Sequence, residues 1–426
     1  MSTARSLAGW LAWIETQHPQ AIAMGLERVR EVAARMALGR PARHVVTVAG
    51  TNGKGSTVAF IEAIARAGGL RVGAYTSPHL LAYNERVRID GVDAGDMALV
   101  AAFEAVEAVR EDASLTYFEY GTLAALRLFA DASLDLAILE VGLGGRLDAV
   151  NLVDPDVAVI TTVDLDHQAF LGDDRETIGR EKAGIARAWR PLVLGEDDPP
   201  ASVLRHAYAI GASAIRAGSD FLVDEDVGPS RWRWREPGFA LELPLPRLVG
   251  PAQLRNAATA IAALRALDLA LPDSAWSKGV AAAQVPARLQ RHHVDGVEVL
   301  VDVGHNPQAA RTLSAALAAA PVPGRTLAVY AALADKDARG VVAALAGVVD
   351  GWHLAGTVDA GARGQDGATL RAALANTAAE AAPVHSDTDA ALDAALGEAY
   401  PGDRVLAFGS FAVAAAAVRW LRARGS

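Results

Sequence analysis

The chain has no cysteine, which excludes disulfides, thiolate nucleophiles and cysteine-ligated zinc ribbons and agrees with a cytoplasmic location. No window reaches the roughly 18 apolar residues of a membrane-spanning helix; the richest run, Phe411 to Val418, is about half that length. The opening MSTARSLAGWLAWIETQHPQ has one Arg and no long apolar segment ending in a cleavage site, so it reads as an amphipathic helix, not a signal peptide. Positive charge is short as well. Forty Lys and Arg against 50 Asp and Glu leave a formal charge of −10, which argues against a general nucleic-acid binder with a basic face. Any anionic ligand must meet a local positive potential. What is present suits a compact soluble protein: 426 residues, 52% hydrophobic and 21% charged, too long for one ordinary core and therefore two or three domains.

One stretch, VTVAGTNGKGST at residues 46 to 57, breaks an apolar run with three glycines, a single lysine and a Ser-Thr pair. It misses the usual phosphate-loop pattern G-x-x-x-x-G-K-[ST], because Gly50 lies three residues before Gly53 and Gly55 separates Lys54 from Ser56. The mechanics are retained. Val45 to Val48 read as a buried strand, Gly50, Gly53 and Gly55 let the backbone through Thr51 and Asn52 curl with its N–H groups inward, and Ser56 opens a helix. Such a nest at a helix N-terminus attracts an oxyanion. Lys54 adds a point charge on a flexible stem, and Ser56 or Thr57 a hydroxyl for a magnesium ion on the phosphates. The alternative is a glycine-rich strand-to-helix turn with a solvated lysine.

Strands and helices alternate along most of the chain. Val58, Ile61, Ile64 and Ala65 share a helical face that Gly68-Gly69 stops. Strands are expected at Arg71 to Thr76, Leu134 to Glu140, Val157 to Val163 and Pro191 to Leu194, with helices at 95 to 111, 118 to 131 and 174 to 188. This is the rhythm of an α/β protein with a mostly parallel sheet. Residues 219 to 245 alternate with period two in RWRWRE and FALELPLP and predict a small antiparallel patch with structural tryptophans. A helix from Pro251 to Leu269 leads into a looser stretch up to Val285-Pro286. A second series starts at Val297 with VEVLVD, a helix through 307 to 319, TLAVYAAL and a helix through 337 to 346, followed by three shorter repeats of the theme. The domain boundary falls near 285.

Ligands of open parallel sheets bind beyond the carboxyl ends of the strands, so polar groups just after each apolar run are informative. These are the 50 to 56 loop, Ser77 and His79 after VGAYT, Glu140 after LDLAIL, and Asp164, Asp166 and His167 after VAVITTV. A carboxylate and an imidazole beside phosphates suit a hard divalent cation, most simply magnesium, although a lone histidine is commonly structural. Glu140, directly ending an apolar strand, would otherwise sit desolvated. EVGLGGRLDAVN, 140 to 151, allows close backbone approach at Gly142, Gly144 and Gly145 and adds Arg146 and Asp148; it is a tight loop or a substrate wall. In the second domain VDVGHNPQAARTL puts Asp302 and His305 at a strand end. Asn306 and Pro307 already have a structural role as N-cap and first helical residue.

In order, the chain carries VAGTNGKGST, YTSPHL with NERVRI, TYFEYGTLAAL, LEVGLGGRLDAVN, DLDH followed by LG, IGREKAGI, QLRNAATA, PARLQ, DVGHNP, ADKD and FGSF. In these motifs, from Gly25 to Phe411, it resembles the folylpolyglutamate synthase family, in its bacterial bifunctional form. The Mur ligases of peptidoglycan synthesis are similar in architecture and share a GTNGK-like loop, but not the folate-side segments.

The resemblance implies a Mur ligase-like α/β fold: a mostly parallel-sheet ATPase domain with a modified phosphate loop over 1–285, a smaller Rossmann-like C-terminal domain over 286–426, and ATP between them. It implies that L-glutamate is joined to dihydropteroate, or to the γ-carboxylate of a tetrahydrofolate, through an acyl phosphate. Lys54 and Ser56 match the phosphate and magnesium groups. Ser77 and Glu140 match further ligands of one magnesium ion, and Glu140 with His167 those of a second. Lys182 matches a lysine that the family carries as a carbamate, whose oxygens a metal accepts where it would repel an ammonium; an unmodified Lys182 paired with a carboxylate is the alternative. Asn256, Arg288, Asp302 and His305 match residues that contact the nucleotide or order its surroundings. Thr116, Phe118, Asp148 and Ala149 match a dihydropteroate pocket, with the Phe118 ring against the flat pterin or benzoate. The family further implies a monomer with no nucleic-acid or membrane partner. Val150, where the family often has Thr, and Gly304, where Ala is usual, are small departures.

Two other classes remain. A nucleotide-dependent switch would carry the same loop without needing Asp302 and His305. A Mur-type ligase acting on a nucleotide-linked peptide is expected to carry an additional N-terminal domain, and the 44 residues before Val45 argue instead for a small acceptor.

Overall fold

Val45, Val46 and Val48 are fully buried in strand β1 (Ala42–Ala49), as expected where helices cover both faces of a sheet. The structure, a computed structural model, describes residues 5–20, 22–225, 228 and 230–425. It divides into two units, Met1–Arg247 with Leu254–Gln284, and Leu248–Gln253 with Val285–Ser426.

In the first unit β1 is joined by β2 (Val72–Tyr75), β3 (Val87–Ile89), β4 (Val92–Asp93), β5 (Leu134–Glu140), β6 (Val157–Ile160), β7 (Pro191–Leu194) and β8 (Ser213–Arg216), in the order β4-β3-β2-β5-β1-β6-β7-β8. From β2 to β8 neighbours run parallel, while β3 and β4 run against their neighbours. The ends of β1, β2, β5, β6 and β7 therefore share one edge, as ligand binding in such sheets requires. The helices are α1 (Leu7–Glu15), α2 (Glu27–Arg35), α3 (Lys54–Ala67), α4 (Asp96–Arg110), α5 (Tyr117–Ala132), α6 (Gln168–Leu171), α7 (Arg175–Ala183), α8 (Ala201–Ile210), α9 (Pro251–Ala266) and α10 (Asp273–Ala282). The core joins Val29, Phe103, Leu123, Leu139 and Leu192. A separate antiparallel sheet holds β9 (Leu222–Asp224), β10 (Arg231–Glu236) and β11 (Phe239–Pro244). Its tryptophans are structural: Trp234 is fully buried, stacks on Phe221 at 6.0 Å and donates to the Ala258 carbonyl at 3.1 Å.

The second unit has strands β12 (Gln290–Val294), β13 (Val297–Val301), β14 (Thr326–Tyr330), β15 (Gly351–Ala355), β16 (Val384–His385) and β17 (Arg404–Phe408), ordered β12-β13-β17-β14-β15-β16. All neighbours run parallel except β12 against β13. Helices α11 (Pro307–Ala319), α12 (Ala338–Leu345), α13 (Gly367–Ala373), α14 (Thr388–Glu398) and α15 (Phe411–Ala423) connect them.

Four expectations are corrected. The third expected strand ends at Ile160, not Val163, because Thr161 to Asp164 leave the sheet ladder for other partners. Helix α7 stops at Ala183, where Gly184 caps it, instead of running to 188. The stretch before Val285 contains α10, and a strand, β12, precedes Val297. Helix α10 packs so closely on α3 that a Cβ added at Gly279 would lie 2.6 Å from the Ile64 backbone nitrogen. Gly279→Ala is expected to destabilise the first unit by about 1–3 kcal/mol, measured as a lowered urea midpoint at unchanged slope.

Candidate active site

The phosphate-loop stretch is positioned by what lies beside it. Gly50 has φ 152° and Gly53 φ 87°, conformations that favour glycine. A Cβ at Gly50 would collide with the Thr161 hydroxyl, and one at Gly53 would meet the Asn256 carbonyl oxygen at 2.5 Å. Thr161 Oγ1 donates to the Asn52 carbonyl at 2.6 Å, Asn52 N donates to Thr162 Oγ1 at 3.1 Å, and Thr51 N donates to the Thr162 carbonyl at 2.8 Å. The helix opens at Lys54, with Gly53 as its N-cap, two residues earlier than expected. Ser56 and Thr57 thus sit in its first turn, both buried. Lys54 Nζ donates to the carbonyls of Gly50 at 3.0 Å and Thr51 at 3.3 Å, so the ammonium is held over the loop.

Pairing of Val48 with Glu140 in the parallel register brings the end of β5 beside the loop. The Glu140 carboxylate is 4% exposed, accepts from Ser77 N at 3.2 Å, and lies 3.9 Å from where a Cβ of Gly55 would be. Gly50 to Ser56, Ser77 and Glu140 are therefore together. His79 is engaged by Arg86: its Nδ1 accepts from Arg86 Nε at 2.9 Å, and burial, helped by the Arg86 charge, lowers it to about 4. His167 sits at the N-terminus of α6 with φ 50°, in the loop that the Thr51 hydroxyl holds through Asp164 N and O, each at 3.0 Å.

The second glycine-rich stretch packs closely against its neighbours. A Cβ at Gly142 would come within 2.7 Å of the Phe118 ring, and one at Gly145 within 2.9 Å of the Lys182 carbonyl. Thr116 caps α5, and Glu119 turns back to accept from Thr116 N at 2.8 Å and from Thr116 Oγ1 at 2.9 Å, a capping box. Asp148 accepts from Leu143 N at 2.8 Å and Val150 N at 3.1 Å, next to buried Ala149. Burial lifts Asp148 to about 7, opposed by those N–H groups and by Lys54.

Lys182 is 3% exposed. Burial, together with the Lys54 charge, lowers its amine to about 7, against the pull of Asp166, Glu196 and Asp148. Glu196, which sequence reasoning missed, accepts from Val163 N at 3.1 Å, and burial raises it to about 7. It follows the apolar run of β7 in the same way that Glu140 follows β5, so the strand-end rule could have found it.

In the second unit Asp302 accepts from Gly304 N at 2.7 Å and Leu289 N at 2.8 Å; burial raises it, while Arg288 and those N–H groups pull it down. His305 Nδ1 lies 2.9 Å from the Val303 carbonyl. Asn306 caps α11 by accepting from Ala309 N at 2.9 Å, with Pro307 following. Arg288 lies over the Phe411 ring at 5.6 Å.

The groups of the first unit fit a nucleoside triphosphate and a hard divalent cation. The loop ends in a helix N-terminus with a lysine and no acidic residue in its first turn, and the buried Thr57 hydroxyl has no partner among the described residues. Ser56 and Glu140 are oxygen donors of the type such a cation prefers. Among the described residues no three His, Asp or Glu side chains gather into a metal cluster. No helix among them is long and apolar enough to cross a membrane.

The Mur ligase middle domain matches residues 48–264, and the Mur ligase glutamate ligase domain residues 287–411. The chain is 45% identical to the dihydrofolate synthase/folylpolyglutamate synthase of Escherichia coli, over 99% of this chain and 97% of that one. The structure of Escherichia coli FolC in complex with DHPP and ADP superimposes with a TM-score of 0.93 over 99% of both chains at 45% identity. A bifunctional folylpolyglutamate synthase/dihydrofolate synthase with Mn, AMPPNP and L-glutamate bound matches with a TM-score of 0.90, 44% identity and 98% of each chain.

The Asp148 carboxyl is raised from 3.8 to about 7, so its contribution to stability is complete below 3.8 and is lost as pH climbs through about 7. With neither nucleotide nor metal added, the wild-type urea midpoint is expected to fall relative to that of Asp148→Asn between about pH 4 and about pH 8. Parallel profiles would refute the assignment.

Proposed function

The chain belongs to the dihydrofolate synthase/folylpolyglutamate synthase family of Mur ligases, and from that premise we propose which of its residues carry the reaction. It is an ATP-dependent ligase that adds L-glutamate to dihydropteroate and to the γ-carboxylate of tetrahydrofolates. A peptidoglycan ligase and a nucleotide switch are both set aside by these relatives. The reading of the site rests on one observation: the loop that holds Lys54 is stitched to the end of β6 and lies against the Glu140 carboxylate, on the edge where Lys182 is buried.

A carboxylate resists an amine because it is a poor electrophile with no good leaving group. Transfer of the terminal phosphoryl group of ATP to the acceptor's carboxylate gives an acyl phosphate; the amine of glutamate attacks its carbonyl carbon, and phosphate leaves as the amide forms. Gly50 to Thr57 cradle the triphosphate through backbone N–H groups, and Lys54 exchanges its loop carbonyls for phosphate oxygens. Asn256, Arg288, Asp302 and His305 serve the nucleotide. Ser56, Ser77, Glu140 and His167 would hold the divalent cation, magnesium at two positions in this reading, and it would supply positive charge against the transferred phosphoryl group. Thr116, Phe118, Asp148 and Ala149 hold the pteroate or folate, with the Phe118 ring against its flat portion.

Lys182 acts as a carbamate in this reading. An amine lowered to about 7 is substantially neutral near neutral pH, the form that adds carbon dioxide with loss of a proton, and the product brings oxygen donors to the cation. The same reading has the enzyme working as a cytoplasmic monomer on small molecules, without nucleic acid or membrane; the formal charge of −10 supports the first of these exclusions.

Lys54→Ala is expected to lower phosphate release with dihydropteroate, glutamate and ATP by about 100-fold or more, and Lys54→Arg not to restore it, since a planar fork replaces a point charge poorly. Near-normal turnover of the alanine variant would remove that role. With 13C-labelled bicarbonate, a carbamate resonance is expected in the wild type and not in Lys182→Ala; its absence from active wild-type enzyme would refute the carbamate.

A further inference from the structure

Beyond Ile160 the strand β6 ends, and six backbone groups of the segment from Thr161 to Asp164 have partners outside it. Thr161 N donates to the Ala49 carbonyl at 2.9 Å, and the Thr162 carbonyl accepts from Thr51 N at 2.8 Å. Asp164 N and O are both held by the Thr51 hydroxyl. Val163, 1% exposed, faces the other way: its N–H donates to Glu196 Oε1 at 3.1 Å and its carbonyl accepts from Arg175 Nε at 2.9 Å. Arg175 Nη2 closes the arrangement on Glu196 Oε2 at 3.3 Å and on the Asp198 carbonyl at 3.0 Å. The segment leading to Asp164, Asp166 and His167 is thus clamped from the phosphate loop on one side and from β7 and α7 on the other.

We propose that Arg175 and Glu196 are positioning residues for the ligase reaction: by holding both backbone groups of Val163 they aim the Asp164–His167 loop at the bound divalent cation, while touching neither substrate nor metal. The proposal rests on the reading that this loop faces the cation. A buried N–H and C=O with no strand partner would otherwise have to turn toward water, and the loop would turn with them. Outer groups that orient a metal-binding loop typically alter metal affinity about 10- to 100-fold when removed.

The test uses the full chain with a non-hydrolysable ATP analogue, reading Mn2+ affinity from the loss of the free-ion EPR signal and nucleotide affinity without metal by calorimetry. Glu196→Ala and Arg175→Ala are expected to weaken Mn2+ binding about 10- to 100-fold with nucleotide affinity within about 3-fold, and the double variant to be little worse than either, because the two act as one unit. Glu196→Gln, whose carbonyl still accepts from Val163, is expected to recover most of the loss. Mn2+ affinity unchanged in all four variants overturns the proposal, as does a lowered melting midpoint without a change in Mn2+ affinity, or a glutamine variant no better than the alanine. His167→Ala separates the premises: if it leaves Mn2+ binding intact, the loop does not serve the metal, whereas if it weakens binding and the Glu196 variants do not, only the brace fails.

Discussion

The hydrogen bonds between residues 51–52 and the segment 161–164 are the interaction on which the site depends. A glycine-rich loop is entropically costly to order, since glycine loses more backbone freedom than any other residue. Here two threonine side chains and the Thr51 hydroxyl hold it, and Gly50 is needed because no other residue would leave space for the Thr161 hydroxyl. The glycine-rich loop and the segment from Thr161 to Asp164 are thereby tied together, and the parallel register of β1 and β5 brings Glu140 beside them.

In a chain with an excess of acidic groups, burial works against the charged forms beside the glycine-rich loop. Asp148 and Glu196 are raised to about 7, and Lys182 is lowered to about 7, each mainly by desolvation. In the proposed reading, carboxylates held close to their neutral form would repel a triphosphate less, and Lys54 would contribute its charge in a region of low dielectric. The overall charge of −10 argues against a large polyanion and leaves room for a small anion met by a local positive potential.

Much of the fold was legible because a buried parallel strand is a continuous apolar run and a helix repeats with its own period, so Leu134–Glu140, Pro191–Leu194 and the helix starting at Pro307 were placed from residues alone. The strand-end rule found Glu140 and the 50 to 56 loop. Two hairpins were readable but were not read: Asp90-Gly91 and Asp295-Gly296 both adopt positive φ, the Asp-Gly turn that joins antiparallel strands, and they account for β3 with β4 and β12 with β13. Helix α10 was hidden because its start is an ordinary proline with no side-chain cap and its place depends on a glycine fitting against α3. The Arg175 brace could not be read at all, since what it grips is the backbone of Val163, and backbone leaves no mark in composition or spacing.

The contact of Asn256 with Gly53 joins positions about two hundred residues apart, and Thr51 with Asp164 spans more than a hundred. Such contacts raise the contact order of the first unit and slow its folding. During synthesis the nucleotide cradle cannot be complete until the chain beyond α9 has emerged, so nascent shorter forms would hold the glycine loop without its walls. In the proposed reading ATP binds the folded chain in preference to the unfolded one and so would act as a thermodynamic ratchet on the assembly of the first unit's share of the cradle.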